Sequence, residues 1–273
     1  ADVIAVLDDF AHLRWNAFRA RPEARFVGLC LPRFALRAPH RRGFTWPRPA
    51  FETDEDIGGD PARIVWGSAA ALLATRVARS FAACGWCANL LDHEDGAAAD
   101  LPTYETERDG EVWRLSPIEG GLSDTQARAL NAAGFVVLTR RRGTSHVSLA
   151  AAPSCHAPAP EAPAGEARAL TLGRRLSAEL PYLFIALPFV HAARAMQRER
   201  VGLWRSPDEV MRGVAAWLDE RCVVGTSRAD SARGPRPLAR ARIELAATQP
   251  EGSYRFRATL YATPWTEADR NPA

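Results

Sequence analysis

Trp15-Asn16-Ala17-Phe18-Arg19, then Phe26-Val27-Gly28-Leu29-Cys30-Leu31-Pro32-Arg33-Phe34, then Arg37-Ala38-Pro39-His40: these three runs set the reading of the chain. They read as the end of a helix, a short buried strand and an exit punctuated by proline. Phe26 to Leu31 is too short for a typical helix and lacks period-two alternation, which predicts a strand covered on both faces. Pro32 has no N–H to give a sheet, so the strand ends there. The runs hold no catalytic nucleophile, acid–base pair or ligand set, and their distinctive residues read as structural.

Upstream, Val6, Phe10, Leu13 and Ala17 fall on one face of a helix predicted over Val3 to Arg19, with Asp2 placed to cap it. Downstream, His40 to Gly59 is irregular. Arg63 to Ala83 is a second helical stretch, stopped by Gly85, with a strand leaving it over Gly85 to Leu90. A loop over His93 to Pro102 and a strand over Glu111 to Leu115 follow. Ser123-Asp124-Thr125-Gln126 has the form of a capping box for a short helix ending at Gly134. Phe135 to Thr139 reads as a buried strand and Arg140 to Gly143 as a solvated turn. Pro153 to Gly165 is dense in Ala and Pro without periodicity, which reads as a linker. Beyond it come helices over Ala167 to Glu179 and from Pro181 to about Arg200, the latter kinked by Pro188. Ser206-Pro207-Asp208-Glu209 joins a cap, a proline at the first helical position and first-turn acids. Val210, Met211, Val214, Trp217 and Leu218 give that helix its apolar face. Two alternating strands close the chain, turning at Gln249 to Ser253. Ala241, Ile243, Leu245 and Ala247 share one face, opposite Arg240, Arg242 and Glu244. Tyr254, Phe256, Ala258 and Leu260 share another, opposite Arg255, Arg257 and Thr259. The expected fold is a mixed α+β class, with helices on small mixed or antiparallel sheets. Its parts are an N-terminal domain over 1–152, a linker over 153–166 and a C-terminal helical and hairpin domain over 167–273.

With 47% apolar residues in 273, the chain can build a packed core and is not of the disordered class. All 35 basic residues are Arg, yet the net charge is only +3, too small by itself to argue for nucleic acid. The longest apolar run, Leu183 to Val190, falls far short of the roughly 20 residues of a membrane helix. Five irregularly spaced cysteines suit a reduced, cytoplasmic protein. The pattern opens directly on a helix, so a preceding part is expected.

Cys84-Gly85-Trp86-Cys87 is the one motif with redox form. A reactive C-x-x-C places its first cysteine at a helix N-terminus, where the dipole lowers the thiol pKa. Here the pair follows a helix, so the dipole acts the other way, and two small core residues is the plainer reading. Zinc wants about four ligands, and no second C-x-x-C or spaced histidine pair is present. His93-Glu94-Asp95 lies in a predicted surface loop. Ser154-Cys155-His156 lies in the predicted linker, where nothing would hold a nucleophile against a base. His191 reads as a core or helix-contact residue. Gly120-Gly121 is too short to cradle a phosphate. The arginines Arg140 to Arg142 and those of the hairpin could meet phosphates, but Tyr254 and Phe256 lie on the face away from them, unlike an RNA-stacking surface. No cofactor is expected.

The motifs, taken in order, resemble the large sheath subunit of the bacterial type VI secretion system. Trp15 and Arg19 match its W-x-x-F-R. Gly28, Leu29, Pro32 and Arg33 match its G-L-x-x-P-R-F, and Arg37 with Pro39 its R-x-P. Phe51-Glu52, Trp66-Gly67-Ser68-Ala69-Ala70, Phe81 with Gly85-Trp86, Leu101-Pro102 and Gly134-Phe135 follow. The second half adds Leu180-Pro181-Tyr182, His191, Arg198, Gly202, Trp217-Leu218, Arg236-Pro237-Leu238 and Gly252 with Tyr254. The sequence departs from the family at His40, Ala97-Ala98, Pro188 and Thr263-Pro264-Trp265. It also starts part-way into the family pattern and stops before the family's last strand. The resemblance implies a structural, non-enzymatic subunit of a contractile sheath. Its implied partners are a small sheath subunit, copies of itself and an inner tube protein, with no nucleic acid and no membrane insertion. The hairpin, through Arg240, Arg242, Ile243, Leu245, Tyr254, Arg255, Phe256 and Arg257, is the expected assembly interface. A thiol oxidoreductase using Cys84 and Cys87, and an RNA-contacting module using the basic hairpin face, are the alternatives.

Overall fold

The computed structural model describes residues 12–40, 55, 60–87, 90–91, 99–108, 110–140, 145–157, 176–199, 207–220, 238–247 and 256–264. In chain order its elements are α1 (Leu13–Arg19), β1 (Leu29–Leu31), β2 (Phe34–Ala35), β3 (Trp66–Gly67), α2 (Ala69–Cys84), β4 (Ala99–Asp100), β5 (Glu105–Arg108) and β6 (Glu111–Arg114). There follow α3 (Asp124–Ala132), β7 (Phe135–Arg140), β8 (His146–Leu149), α4 (Leu180–Glu199), α5 (Pro207–Asp219), β9 (Leu238–Ala247) and β10 (Phe256–Pro264). Helices with small mixed and antiparallel sheets make this an α+β fold. The helical reading upstream of His12 and the Ser206 cap lie outside the described residues, as do residues 167–175 of the helix expected over Ala167 to Glu179. The end of that stretch is instead a turn at 177–178, with Glu179 in an antiparallel bridge to Pro153.

The largest sheet has the order β1-β7-β8-β4 and is mixed. β1 runs parallel to β7, with Cys30 opposite Val136. The β7–β8 and β8–β4 pairs are antiparallel. Val136, Val137 and Leu138 are buried, as the apolar run of β7 predicts. β1 is different. It is an edge strand, Leu29 is 42% exposed and Phe26 is 60% exposed, so the expected coverage on both faces is corrected. Pro22 starts a 3-10 turn that takes up Pro22–Phe26 and leaves only three residues for the strand.

The second helix starts at Ala69, not at Arg63. Asp60 accepts from the Ala62 N–H and caps a 3-10 turn over Pro61–Arg63. Trp66 and Gly67 then pair antiparallel with Ala35 and Phe34. Strand pairing from a distant segment thus overrides a helical pattern, the usual way in which propensity loses. At the far end Gly85 adopts φ +73° and its N–H reaches the Phe81 carbonyl at 2.7 Å. The strand expected to leave there is not formed over Gly85–Cys87. The chain folds back instead, and the Ser80 hydroxyl donates to the Trp86 carbonyl at 3.0 Å.

The capping box is present in full. Ser123 Oγ accepts from the Gln126 N–H, and Gln126 Oε1 accepts from the Ser123 N–H. Two strands that the patterning does not isolate, β5 and β8, complete a hairpin with β6 and a pair with β7.

Two units divide the described chain. The first comprises Ala1–Arg76 and Asn89–Leu180, the second Val77–Ala88 and Pro181–Ala273, so α2 contributes to both. Beside the main sheet, the first unit buries Ala35, Ile64 and Tyr104 together, flanked by Trp66 and Leu115. The second unit centres on Phe189 of α4. Trp86 stacks on it at 4.6 Å between ring centroids and Trp217 of α5 meets it edge-on at 5.4 Å. Ile185, Val214 and Leu218 close that cluster. Pro188 lies within α4 next to this core residue, where it removes one helical N–H. In the same unit β9 and β10 form a two-stranded antiparallel sheet, with α5 beside β9.

Candidate functional site

The three opening runs converge with residues far along the chain. Arg19, the last residue of α1, sends Nε to the Cys155 carbonyl at 3.2 Å and Nη2 to the Ala132 carbonyl at 3.4 Å. Trp15 stacks on Phe135 with centroids 5.4 Å apart, and the Arg19 guanidinium lies 6.0 Å from the Trp15 ring. Gly134 carries φ +87°, and a Cβ there would sit 3.1 Å from the Ser154 carbonyl and 3.4 Å from Arg19 Nε. Only glycine both turns the chain and lets these segments approach.

Ser154, Cys155 and His156 occupy the centre of this cluster, and the expectation that nothing holds them is corrected. Ser154 and Cys155 are buried at 1% and 0% exposure. The Cys155 N–H donates to the Val27 carbonyl at 2.8 Å, and the Ser154 N–H to the Ala178 carbonyl at 2.7 Å. His156 Nδ1 lies 3.0 Å from the carbonyls of both Arg19 and Arg21. Carbonyls only accept, so Nδ1 carries the proton and the ring caps the C-terminal end of α1. The segment is packed into the first unit: its thiol is buried, and burial pushes the Cys155 pKa up. Cys30 is raised to about 11 by burial and by the nearby Cys155 thiol.

Two ion pairs fix the next turns. Arg33 and Glu119 form a fork (Nε to Oε2, 2.7 Å) where the Glu119 N–H also bonds the Arg33 carbonyl. Arg37 makes a two-pronged pair with Glu55, both contacts at 2.7 Å, and the same carboxylate accepts from the His40 N–H. The Arg37 hydrogen bonds, then the His40 bond, hold the Glu55 carboxyl down at about 2. The Tyr104 hydroxyl donates to the Arg37 carbonyl at 2.6 Å. Gly28, Pro32 and Pro39 are half-buried, Gly28 against Leu180 and Val136. Trp66 is half-buried with its indole N–H on the Pro61 carbonyl, and Gly67 packs on the Phe34 ring. Sequence reasoning did not single out Glu55, Glu119 and Tyr104. The signal available was an unmatched arginine in each motif, which needs an acid whose position only the fold supplies.

The remaining singled-out residues are dispersed. Cys84 ends α2, as the reading of the C-x-x-C requires, and Cys87 is buried with its thiol pKa pushed up by desolvation. That is the opposite of what a redox thiol needs. His191 is exposed, not a core residue. Pro181 and Tyr182 are half-buried in the first turn of α4, and Trp217 belongs to the Phe189 cluster. Gly202, Pro237, Tyr254 and Arg255 lie outside the described residues, as do Phe51-Glu52 and His93 to Asp95. In the hairpin, Ile243 pairs with Leu260, Leu245 with Ala258 and Ala247 with Phe256, while Arg242 pairs with Tyr261 and Arg240 with Thr263. The apolar sets of the two strands therefore fall at partnered positions on one face. Among the described residues no group of three or more His, Cys, Asp or Glu could hold a metal, and no helix is long and apolar enough to cross a membrane.

Comparison with known proteins gives this geometry a family. A family model described as "EvpB/VC_A0108, tail sheath N-terminal domain" matches residues 1–156. The chain belongs to this tail sheath family. A second model, the tail sheath gpW/gp25-like domain of the same family, matches residues 169–271. A curated relative, the type VI secretion system sheath protein TssC1 of Pseudomonas aeruginosa, is 31% identical over 212 residues. The match takes in 75% of this chain and 41% of the relative, so the chain spans about two-fifths of that protein's length. The family matches thus meet the resemblance read from Trp15 to Tyr254. Of the residues in these motifs, Trp15, Arg19 and Gly134 meet in one cluster, and Arg37 pairs with Glu55.

Proposed function

We propose that this chain is a structural part of the large subunit of a type VI secretion contractile sheath, and that it works without catalysis. In this reading it assembles with a small sheath subunit and with copies of itself around an inner tube protein, in the cytoplasm. Free energy is held in subunit contacts of the extended form and released on contraction. The observation that carries the reading is the ordered pair of tail sheath matches, over 1–156 and 169–271. The domains we propose are 1–152 and 167–273, joined over 153–166, a joint whose start, Ser154 to His156, packs against Val27, Ala178 and Arg19 of the first unit.

The assembly surface in this reading is the β9–β10 hairpin. Its sheet has two strands, so each strand has one edge that pairs with no other described strand. Such edges invite strand addition. Arg240, Arg242, Ile243, Leu245, Tyr254, Arg255, Phe256 and Arg257 would form the contact. Of the adjacent residues Arg257 and Ala258, one backbone N–H points to β9 and the other points away. Arg257→Pro and Ala258→Pro therefore include one variant that spares the ladder. We expect that variant to stay folded and to fail in co-assembly with a small sheath subunit. Sheath-like tubes from the folded variant would rule the hairpin out.

A further inference from the structure

Helix α4 has two different sides. Ile185 and Phe189 are buried in the core of the second unit, and Met196 packs against that core. At about 100° per residue, Leu187, Val190, His191, Arg194 and Arg198 fall within an arc of about 100° on the far side. All five are exposed, Leu187 at 43% and Val190 at 39%. Leu187, Val190 and Arg194 follow the a-d-a rhythm of a helix–helix seam, and His191 and Arg198 take the e positions beside it.

A single exposed apolar side chain needs no explanation, and a cation in a last turn suits the helix dipole. An apolar seam that runs into a histidine and two arginines is a different pattern. Among the described residues no acid pairs with Arg194 or Arg198. Glu199, the only acid of α4, lies about 100° round from Arg198. His191 and Arg198 are also residues of the sheath motifs, and both stand outside the core. The apolar seam suits another helix, and the cations beside it suit carboxylates. Two apolar side chains give little to sink into a lipid interface, and the arc holds no aromatic ring on which bases could stack.

We propose that this face of α4 docks an acidic amphipathic helix of a neighbouring sheath subunit. Leu187 and Val190 pack on its apolar stripe, and Arg194 and Arg198 pair with its carboxylates. The inference rests on the sheath reading and adds a second surface to the β9–β10 hairpin. Sedimentation of the full chain mixed with a small sheath subunit tests it, read as the concentration at which the mixture assembles. Arg194→Glu combined with Arg198→Glu should raise that concentration at least tenfold, and so should Leu187→Asp, with native near-ultraviolet ellipticity from Trp86 and Trp217. Arg194→Lys with Arg198→Lys keeps the charge and should stay within threefold of wild type. Added salt should weaken assembly of the wild type more than that of the Glu variant. Assembly of the folded Glu variant at the wild-type concentration would overturn this inference and leave the sheath reading standing. A wild-type mixture with no tubes and no complex would overturn that reading, and this inference with it. Binding to phosphatidylcholine–phosphatidylglycerol vesicles that the Glu variant loses, with assembly unchanged, would give the face to lipid instead. If the Glu variant does not fold, Leu187→Asp decides alone.

Discussion

At the scale of single residues, the structure ties a few side chains to measurable consequences. Glu55 gives up its proton more readily in the folded chain than in the unfolded one. Its pair with Arg37 therefore favours folding fully above the ordinary carboxylate value of 4.5, and that gain drains away as pH falls from there toward 2. Both partners are about a third exposed, at 29% and 34%, so solvent screening keeps the gain at or below about 1 kcal/mol. Glu55→Gln should accordingly lower the urea midpoint slightly at pH 7, and the gap from wild type should narrow as pH falls from 4.5 toward 2. A gap that widens with acid would mean that Arg37 is not the partner. Gly134→Ala combines a positive φ with a 3.1 Å approach to a carbonyl and should destabilise the first unit by about 1–3 kcal/mol. Thermal melts would read this as a lower midpoint with unchanged secondary structure. Cys87 and Cys155 are buried with raised thiol pKa values, so a thiol reagent at pH 8 should label them only on unfolding. Rapid native labelling of Cys87 would reopen the redox alternative.

Elements show where local sequence decides and where it yields. The α3 cap is local, and both halves of the box form as Ser123 and Gln126 predict. Ser123→Ala should cost about 0.5–2 kcal/mol, and an unmoved melting point would mean that the box contributes nothing. Gly85 and Gly134 end helices for reasons readable in the sequence, because a turn into positive φ is a local event. β7 is legible from its apolar run, and the hairpin from strict alternation. The errors arise where partners are remote. Trp66-Gly67 leaves the predicted helix to pair with Phe34-Ala35. β1, first in the order of the described sheet, keeps Leu29 exposed instead of covered on both faces. Ser154 to His156 sit in an Ala/Pro-rich run that composition reads as linker, yet Val27, Ala178 and Arg19 hold them in place. Composition reports how freely a segment could move, not which carbonyls wait for it.

For the molecule as a whole, the informative residues are those that join distant stretches. Arg19 contacts residues more than a hundred positions away, and Phe189 gathers Trp86 and Trp217 into one core. Phe189 is fully buried, so Phe189→Ala should cost about 3–5 kcal/mol and unfold the second unit first, visible as lost near-ultraviolet ellipticity from its tryptophans. The motif order from Trp15 to Trp217 made the family legible, although no single motif is specific, because the matching residues are spread in order along the chain. The assembly contacts are less legible, since half of each lies on another molecule. Electron microscopy of this chain mixed with a small sheath subunit addresses the central claim most directly. The account predicts regular hollow tubes that need both proteins. Dispersed particles from the folded mixture, with no tubes and no complex, would contradict it.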